Sequence, residues 1–373
     1  MPNCRTIAIC NQKGGVGKTT TTVNLGIGLA MENKRVLLVD ADPQGDLSIS
    51  LGFTDTDSIP ITLSDKMLEV MQEKNTNPRE GILQHEEGVD LLPSNLELAS
   101  IDNALVNAMS RETVLRTYLN GVKNYYDYIL IDCMPSLGMV TMNALAAADS
   151  VIIPVQAHYL PAKGMTQLLQ TVSRVKRHIN PDLKIEGILL TLVDGRTNLA
   201  RSTMDVIREN FGGKIKIYKT TIPMAIKAAE VSSKGQSIMA YEPSNPAALA
   251  YKEFTKEVIE SGRQKERLHT CLSISQSISL RNNITPVIID IGRDMTQPVS
   301  CKLCLISKIM VKFCSSAVCI YNSCKPAVII IFGSDRINTT RIDNICKIMI
   351  LISKSSLVTI SVDYRRQITF LII

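Results

Sequence analysis

At 373 residues the chain is long enough for two domains, or for one large domain with an appendage. Its net charge of +6 is unevenly spread: residues 1–262 carry 26 Lys and Arg against 29 Asp and Glu, whereas residues 263–373 carry 15 against 6. The basicity belongs to the tail, so the isoelectric point is no argument for nucleic-acid binding by the rest; nor does any uncharged apolar run reach the ~18 residues of a membrane span.

The chain opens on a strand-like apolar run, Thr6 to Cys10, followed by NQKGGVGKTT (Asn11 to Thr20) and then small and apolar residues at helical spacing to Met31. Strand, glycine-rich loop and helix together make a phosphate cradle. Glycines let backbone N–H groups point inward at oxygen, a lysine reaches the outer phosphates, and a hydroxyl holds Mg²⁺. Gly14, Gly15, Gly17, Lys18 and Thr19 supply these, with Val16 and Thr20 completing the nucleotide-binding run, and the helix N-terminus adds its positive dipole end. The first glycine of the generic G-x-x-x-x-G-K-[ST] pattern falls on Gln12, and a second lysine, Lys13, precedes the glycine pair. With this loop so near the start, no signal peptide is expected.

Arg35 to Asp40 reads as a second buried strand, running into Asp40-Ala41-Asp42-Pro43-Gln44-Gly45. Its two carboxylates sit where an open α/β sheet places its ligands. Residues 52–110 are less informative: a turn near Asp55 to Ser58, a helix over Leu63 to Gln72, an edge strand at Val89 to Pro93 and a helix from Leu96. Arg111 to Lys123 is amphipathic, with Val114, Leu115, Tyr118, Leu119 and Val122 on one face. Tyr128 to Asp132 is the next strand, and an acidic residue ending an apolar strand downstream of a phosphate loop supports Mg²⁺ through water, which is the role expected of Asp132. Cys133 beside it reads as a core residue rather than an iron–sulfur ligand, and with Cys4 and Cys10 as one of three reduced thiols of a cytosolic protein. Strands at Ser150 to Gln156, Lys184 to Asp194 and Ile215 to Ile222 follow, with a helix bearing Met165, Leu168, Leu169, Val172 and Val175, a helix over Ala225 to Ser232 and a last one over Tyr241 to Val258.

Residues 263–373 hold 22 Ile, 14 Ser and seven Cys but only two Ala and two Gly, unlike an ordinary folded α/β domain. The expected organisation is an ATPase-like domain over 1–267 and an anomalous tail over 268–373, which reads as translation of a shifted or non-coding frame. The rival is a zinc module from Cys301, Cys304, Cys314, Cys319 and Cys324; only the first two have regular C-x₂-C spacing.

The loop KGGVGKT, together with DCMPSLG at 132–138 and the strand–helix–strand succession from Ser150 to Asp194, resembles the deviant Walker A ATPases, and among them the ParA/Soj partition proteins. The resemblance covers residues 3 to 267; Met134 stands where the family usually has proline. It implies an α/β P-loop NTPase fold, a mostly parallel sheet with helices on both faces, and an ATPase using ATP and Mg²⁺. Lys13 would reach across a dimer interface to the partner's nucleotide, Asp42 would orient or activate the attacking water, Asp40 would lie near Mg²⁺, and Thr191 and Pro223 would lie along the base. The family's ATP-bound homodimer binds double-stranded DNA without sequence preference and meets a ParB-like partner that stimulates hydrolysis, so a cytoplasmic, nucleoid-associated protein that segregates a chromosome, plasmid or mobile element is expected, with no membrane partner. The acidic core requires a local patch for DNA, for which Arg201, Arg208, Lys214, Lys216, Lys219, Lys227 and Lys234 are the candidates. The alternative is a MinD-like membrane-surface positioning ATPase. That group carries glycine in place of Gln12 and needs a C-terminal amphipathic helix, for which Tyr251 to Glu260 is too charged.

Overall fold

Apolar runs flanked by helical segments force strands whose two faces are both covered, and the central strands are buried along nearly their whole length. The computed structural model describes residues 4–106, 108–157, 162–194, 196–213, 215–225, 231 and 234–262, together with the strand residues 285–291, 316–322, 329–333, 349–352, 358–362 and 368–372. It divides into two units, Met1–Ser261 and Gly262–Ile373.

In the first unit β1 (Arg5–Ile9), β2 (Val36–Ala41), β3 (Leu83–Gln84), β4 (Asp90–Leu92), β5 (Tyr128–Cys133), β6 (Ser150–Gln156), β7 (Lys184–Val193) and β8 (Ile217–Pro223) form an eight-stranded sheet in the order β3-β4-β2-β5-β1-β6-β7-β8. Every pairing is parallel except β3 with β4. Two registers matter most. Ile9 of β1 and Asp40 of β2 both lie opposite Asp132 of β5, so the strand ends that carry the loops finish at one level.

The helices are α1 (Lys18–Met31), α2 (Asp46–Ser50), α3 (Leu63–Met71), α4 (Leu98–Val106), α5 (Val114–Val122), α6 (Met139–Ala147), α7 (Ala162–His178) and α8 (Asn198–Phe211), then a short helix Ile238–Tyr241 and a last one over 246–262. One core cluster joins a face of the sheet to α3 through α8, centred on Leu37, Val39, Ile129, Ile131 and Leu145; the other joins the opposite face to α1, α2 and the last helix through Leu25, Leu29, Leu38, Leu130 and Phe254. α3 starts at a capping box in which the Asp65 carboxylate accepts from the Thr62 backbone N–H at 2.8 Å.

Three expectations need correction. Asp90–Leu92 is not an edge strand: it pairs with β2 on one side and is covered by β3 on the other, and a strand of two residues has no period to read. The helix expected from Arg111 begins at Val114, because Ser110, with φ of 53°, ends the preceding turn and Thr113 stands at the helix N-cap. The helix expected to start at Tyr241 is broken, Ile238–Tyr241 ending before a turn that contains Pro243 and a new helix starting at residue 246. Most of the helix expected over Ala225 to Ser232 lies outside the described residues, as do Cys301, Cys304, Cys314 and Cys324 of the proposed zinc set.

The sheet's β8 edge is covered from the last helix. The Glu257 carboxylate accepts the backbone N–H groups of Lys219 at 3.1 Å and Thr220 at 3.3 Å. That helix also lies hard against α1, since a Cβ on Gly28 would stand 2.3 Å from Thr255 Oγ1 and 3.3 Å from both Thr255 Cβ and Cγ2. Rotating Thr255 only exchanges one clash for another. Gly28→Ala should therefore lower stability by about 1–2 kcal/mol even though alanine is the better helix former. Urea unfolding measures it, and adding Thr255→Ala should restore part of the loss.

Candidate functional site

The loop between β1 and α1 is built from glycines that the backbone demands. Gly15 and Gly17 have φ of 69° and 79°, a left-handed conformation that side chains resist, and an added Cβ would meet nothing within 4 Å at Gly15 and only the Thr191 side chain at 4.0 Å at Gly17. Space is open where a ligand would lie. Two struts that sequence reasoning missed hold the loop. The Asn11 side chain donates to Pro154 O at 2.6 Å and accepts from the Lys13 N–H at 3.0 Å, and Thr191 Oγ1 donates to Val16 O at 2.8 Å. Thr191 was singled out for the base, and its hydroxyl is committed to the loop. Asn11 precedes the motif and carries no pattern of its own, so only the fold reveals it.

The loop forms one end of a cavity of about 400 Å³ walled by Gly14, Gly15, Gly17, Lys18, Thr19, Thr20, Asp42, Thr191 and Pro223 among the expected residues. Its far end adds Leu192, Ile222, Ala225, Ala247 and Tyr251. Tyr251 is buried on the last helix, its hydroxyl 3.3 Å from Thr21 Oγ1. Leu192 has φ of 52°, uncommon for a branched residue, at the irregular end of β7. Two aliphatic residues, a proline and a tyrosine opposite a polar loop suit a molecule with a phosphate end and a flat apolar end.

Beneath the loop the β2–β5 register brings Asp40 and Asp132 side by side, both fully buried. Asp132 accepts from Thr19 Oγ1 at 2.7 Å and from Thr22 Oγ1 at 3.2 Å. Asp40 accepts from the Ser48 N–H at 2.9 Å, the Ser48 hydroxyl at 2.8 Å and the Asp42 N–H at 3.2 Å. Burial pushes the Asp40 carboxyl up to about 7, and burial together with the neighbouring Asp40 charge pushes Asp132 up to about 8. Asp42, half-buried on the cavity wall, is raised by burial, and its Oδ1 accepts from the Gln44 N–H at 3.1 Å. Neither Asp40 nor Asp132 lines the cavity; both stand behind its wall. The Asp40 oxygens order the Asp42 loop and α2. A hydroxyl at the cavity wall backed by two crowded carboxylates is a donor set that suits a hard divalent cation, with Thr19 and Asp132 as the groups that would hold it.

Lys13 does not line this cavity. Its Nζ lies 3.2 Å from Gln156 Oε1, exposed at the end of β6. The described basic candidates stand on several elements. Arg201 and Arg208 lie on exposed turns of α8, Arg208 paired with Asp205 at 3.4 Å; Lys219 is exposed on β8 and Lys234 in the turn before Ile238–Tyr241. Lys216 is engaged structurally, donating to Ser261 Oγ at 2.6 Å, 3.5 Å from Glu257 and 4.2 Å from the Tyr218 ring centroid. Lys214 and Lys227 lie outside the described residues. Cys133 is buried, its thiol raised well above the ordinary range by burial and by Cys10, whose sulfur lies 2.8 Å away. Among the described residues no group of three or more His, Cys, Asp or Glu could hold a metal ion by itself, and no helix is long and apolar enough to cross a membrane.

Comparison with known proteins adds independent findings. Residues 4–185 match a family described as an AAA domain. The sporulation initiation inhibitor protein Soj of Bacillus subtilis is 44% identical over 261 residues, 69% of this chain and 98% of that protein. The chromosome partitioning protein ParA of Myxococcus xanthus is 40% identical over 263 residues, 70% of this chain and 90% of that protein. Among solved structures, a cobyrinic acid a,c-diamide synthase from Mycobacterium smegmatis with bound ADP and magnesium superposes with a TM-score of 0.60 at 36% identity, covering 69% of this chain and 94% of that one.

The raised carboxyls carry a linkage of definite sign. A carboxyl whose folded pKa lies above its unfolded value binds more protons in the folded state, so stability falls as pH rises through the interval between the two. For Asp132 that interval runs from the ordinary carboxylate range to about 8. With a chelator present, Asp132→Asn should flatten the decline in stability between pH 4 and 8, leaving the variant more stable than the parent at pH 8 by about 1–2 kcal/mol. Urea midpoints across that range provide the measurement.

Proposed function

The chain belongs to the ParA/Soj family of P-loop ATPases, and we propose that it is an ATP-switched partition protein that couples dimerisation to DNA binding. The carrying observation is the placement of its two loop lysines. Lys18 lines the cavity, whereas Lys13, five residues earlier in the same loop, is exposed outside it. In this reading Lys13 completes the nucleotide site of another subunit, which makes dimerisation conditional on ATP; its exposure outside its own cavity supports that role.

ATP enters with its phosphates on the loop N–H groups and Lys18, and its base toward Pro223, Ala225, Ala247 and Tyr251. Thr19 and Asp132 would hold Mg²⁺, which would neutralise phosphate charge. Asp42 orients the attacking water and accepts hydrogen bonding from it; burial, by raising its basicity, suits that task. Asp40 and Ser48 hold the Asp42 loop in place. Hydrolysis removes the bridging phosphate and releases the dimer.

DNA binding falls to Arg201, Arg208, Lys219 and Lys234 among the described candidates, with Lys214 and Lys227 contributing from outside them. Each phosphate contact releases counterions, and joining two subunits doubles the contacts presented to one duplex. Lys216, tied to Glu257 and Ser261, contributes least. A ParB-like protein completes the system by stimulating hydrolysis. The core that does this lies before residue 267, in keeping with a match to 98% of Soj's length within 261 aligned residues. Residues 268–373 are dispensable to it and read as translation of a shifted frame.

Two experiments test the proposal. Lys18→Ala should abolish ATP binding, while Asp42→Ala should retain it and accumulate the ATP dimer, as light scattering reads; an Asp42→Ala protein that binds ATP yet stays monomeric sinks the assignment. For DNA, the chain ending at Glu266 should bind random duplex only with ATP, and lose several-fold or more in affinity between low and physiological salt. Replacing Arg201, Arg208 and Lys219 with Glu should remove that binding and spare dimerisation. Binding to anionic vesicles in place of DNA would favour the MinD-like alternative.

A further inference from the structure

We propose that Cys10 and Cys133 are a modification site, a dithiol that oxidises to an internal disulfide and thereby weakens Mg–ATP binding. The inference rests on the nucleotide reading for its consequence but not for the bond itself. β1 and β5 are parallel neighbours in the register that sets Ile9 opposite Asp132, so Cys10, just past the end of β1, and Cys133, the last residue of β5, follow side by side. Their sulfurs are 2.8 Å apart and both are free thiols. Neighbouring strand ends meet the backbone spacing that a disulfide requires, and the sulfurs need approach by only ~0.8 Å to reach a bonded length.

Both thiols are buried, yet each lies within three residues of an exposed loop position. Beyond Cys10 the chain reaches solvent at Lys13, Gly14 and Gly15 with only Asn11 and Gln12 between; beyond Cys133 it does so at Pro135 and Ser136 after Met134. Opening of either loop admits a small oxidant without disturbing the sheet. Peroxide is the class of oxidant that fits. One sulfur attacks the peroxide oxygen, giving a sulfenic acid and one water; the second sulfur attacks the first, forming the S–S bond and releasing a second water. The two thiols together lose two electrons and two protons, and hydrogen peroxide is reduced to two waters.

The bond acts on the site because each cysteine adjoins a residue that builds it. Asn11 braces the phosphate loop through Pro154 and the Lys13 N–H, and Asp132 receives the Thr19 hydroxyl. Closing the last ~0.8 Å between the sulfurs locks the torsions of both cysteines, and the adjoining backbone of Asn11 and Asp132 takes up the adjustment, moving the groups that brace the phosphate cradle.

Full-length protein is treated with hydrogen peroxide, mapped for cross-linked peptides by mass spectrometry, and titrated with Mg–ATP before and after dithiothreitol. Expected are a peptide joining Cys10 to Cys133, at least a tenfold weaker affinity in the oxidised form, and recovery on reduction. Cys10→Ala should bind Mg–ATP within about threefold of the untreated parent and ignore peroxide, although Cys4 and the tail cysteines still oxidise. Cys133→Ala serves the same purpose if the first variant does not fold. Absence of the cross-linked peptide, or its presence with unchanged affinity, overturns the proposal. A reduced parent that fails to bind Mg–ATP sinks the nucleotide reading and the switch together, while the peptide map still reports on the bond.

Discussion

Two carboxylates pressed together without water are the constraint around which this protein is arranged. Asp40 and Asp132 come from different strands, and in-register pairing of β2 with β5 leaves them no freedom to separate. Each would rather be neutral there, and the surroundings answer with donors: Ser48 and the Asp42 N–H for one, Thr19 and Thr22 for the other. Those donors stand on α1, α2 and the loop that bears Asp42. The cost of burying the charges is thus converted into the position of the catalytic loop, and a divalent cation offsets the remaining repulsion when it binds.

The phosphate loop is held from its two flanks rather than by its own hydrogen bonds. Asn11 reaches β6 and Thr191 reaches in from β7, so the strands on that side of β1 bear on the loop's shape. A nucleotide that shifts the loop must shift Gln156 and Lys13 with it, since their side chains touch at the end of β6.

Much of this was legible before any coordinates. A continuous apolar run such as Tyr128 to Cys133 can only be a strand covered on both faces, and a lysine and hydroxyl after a glycine-rich turn state their chemistry through spacing alone. What escaped was everything set by contact between distant segments. Asn11 looks like an ordinary turn residue until Pro154 is beside it, and Tyr251 like a core aromatic until it closes the apolar end of the cavity. The resemblance puts Asp40 near the metal; its Ser48 and Asp42 partners, which no local pattern announces, show that it also braces the loop bearing Asp42. Lys216 read as a surface charge because nothing in sequence brings Glu257 and Ser261 to it. Local pattern identifies groups that touch ligand, and long-range packing identifies groups that hold them.

Glu257, whose carboxylate takes the backbone N–H groups of Lys219 and Thr220, bears on how copies of this protein can meet. An open sheet has two borders where a foreign strand could dock. Here one is reduced to the two residues of β3, and the other has its donors claimed by a charged side chain from the last helix. Lateral growth of this sheet into ribbons or fibres is discouraged at both borders, so copies of the protein can crowd together without their sheets merging into one.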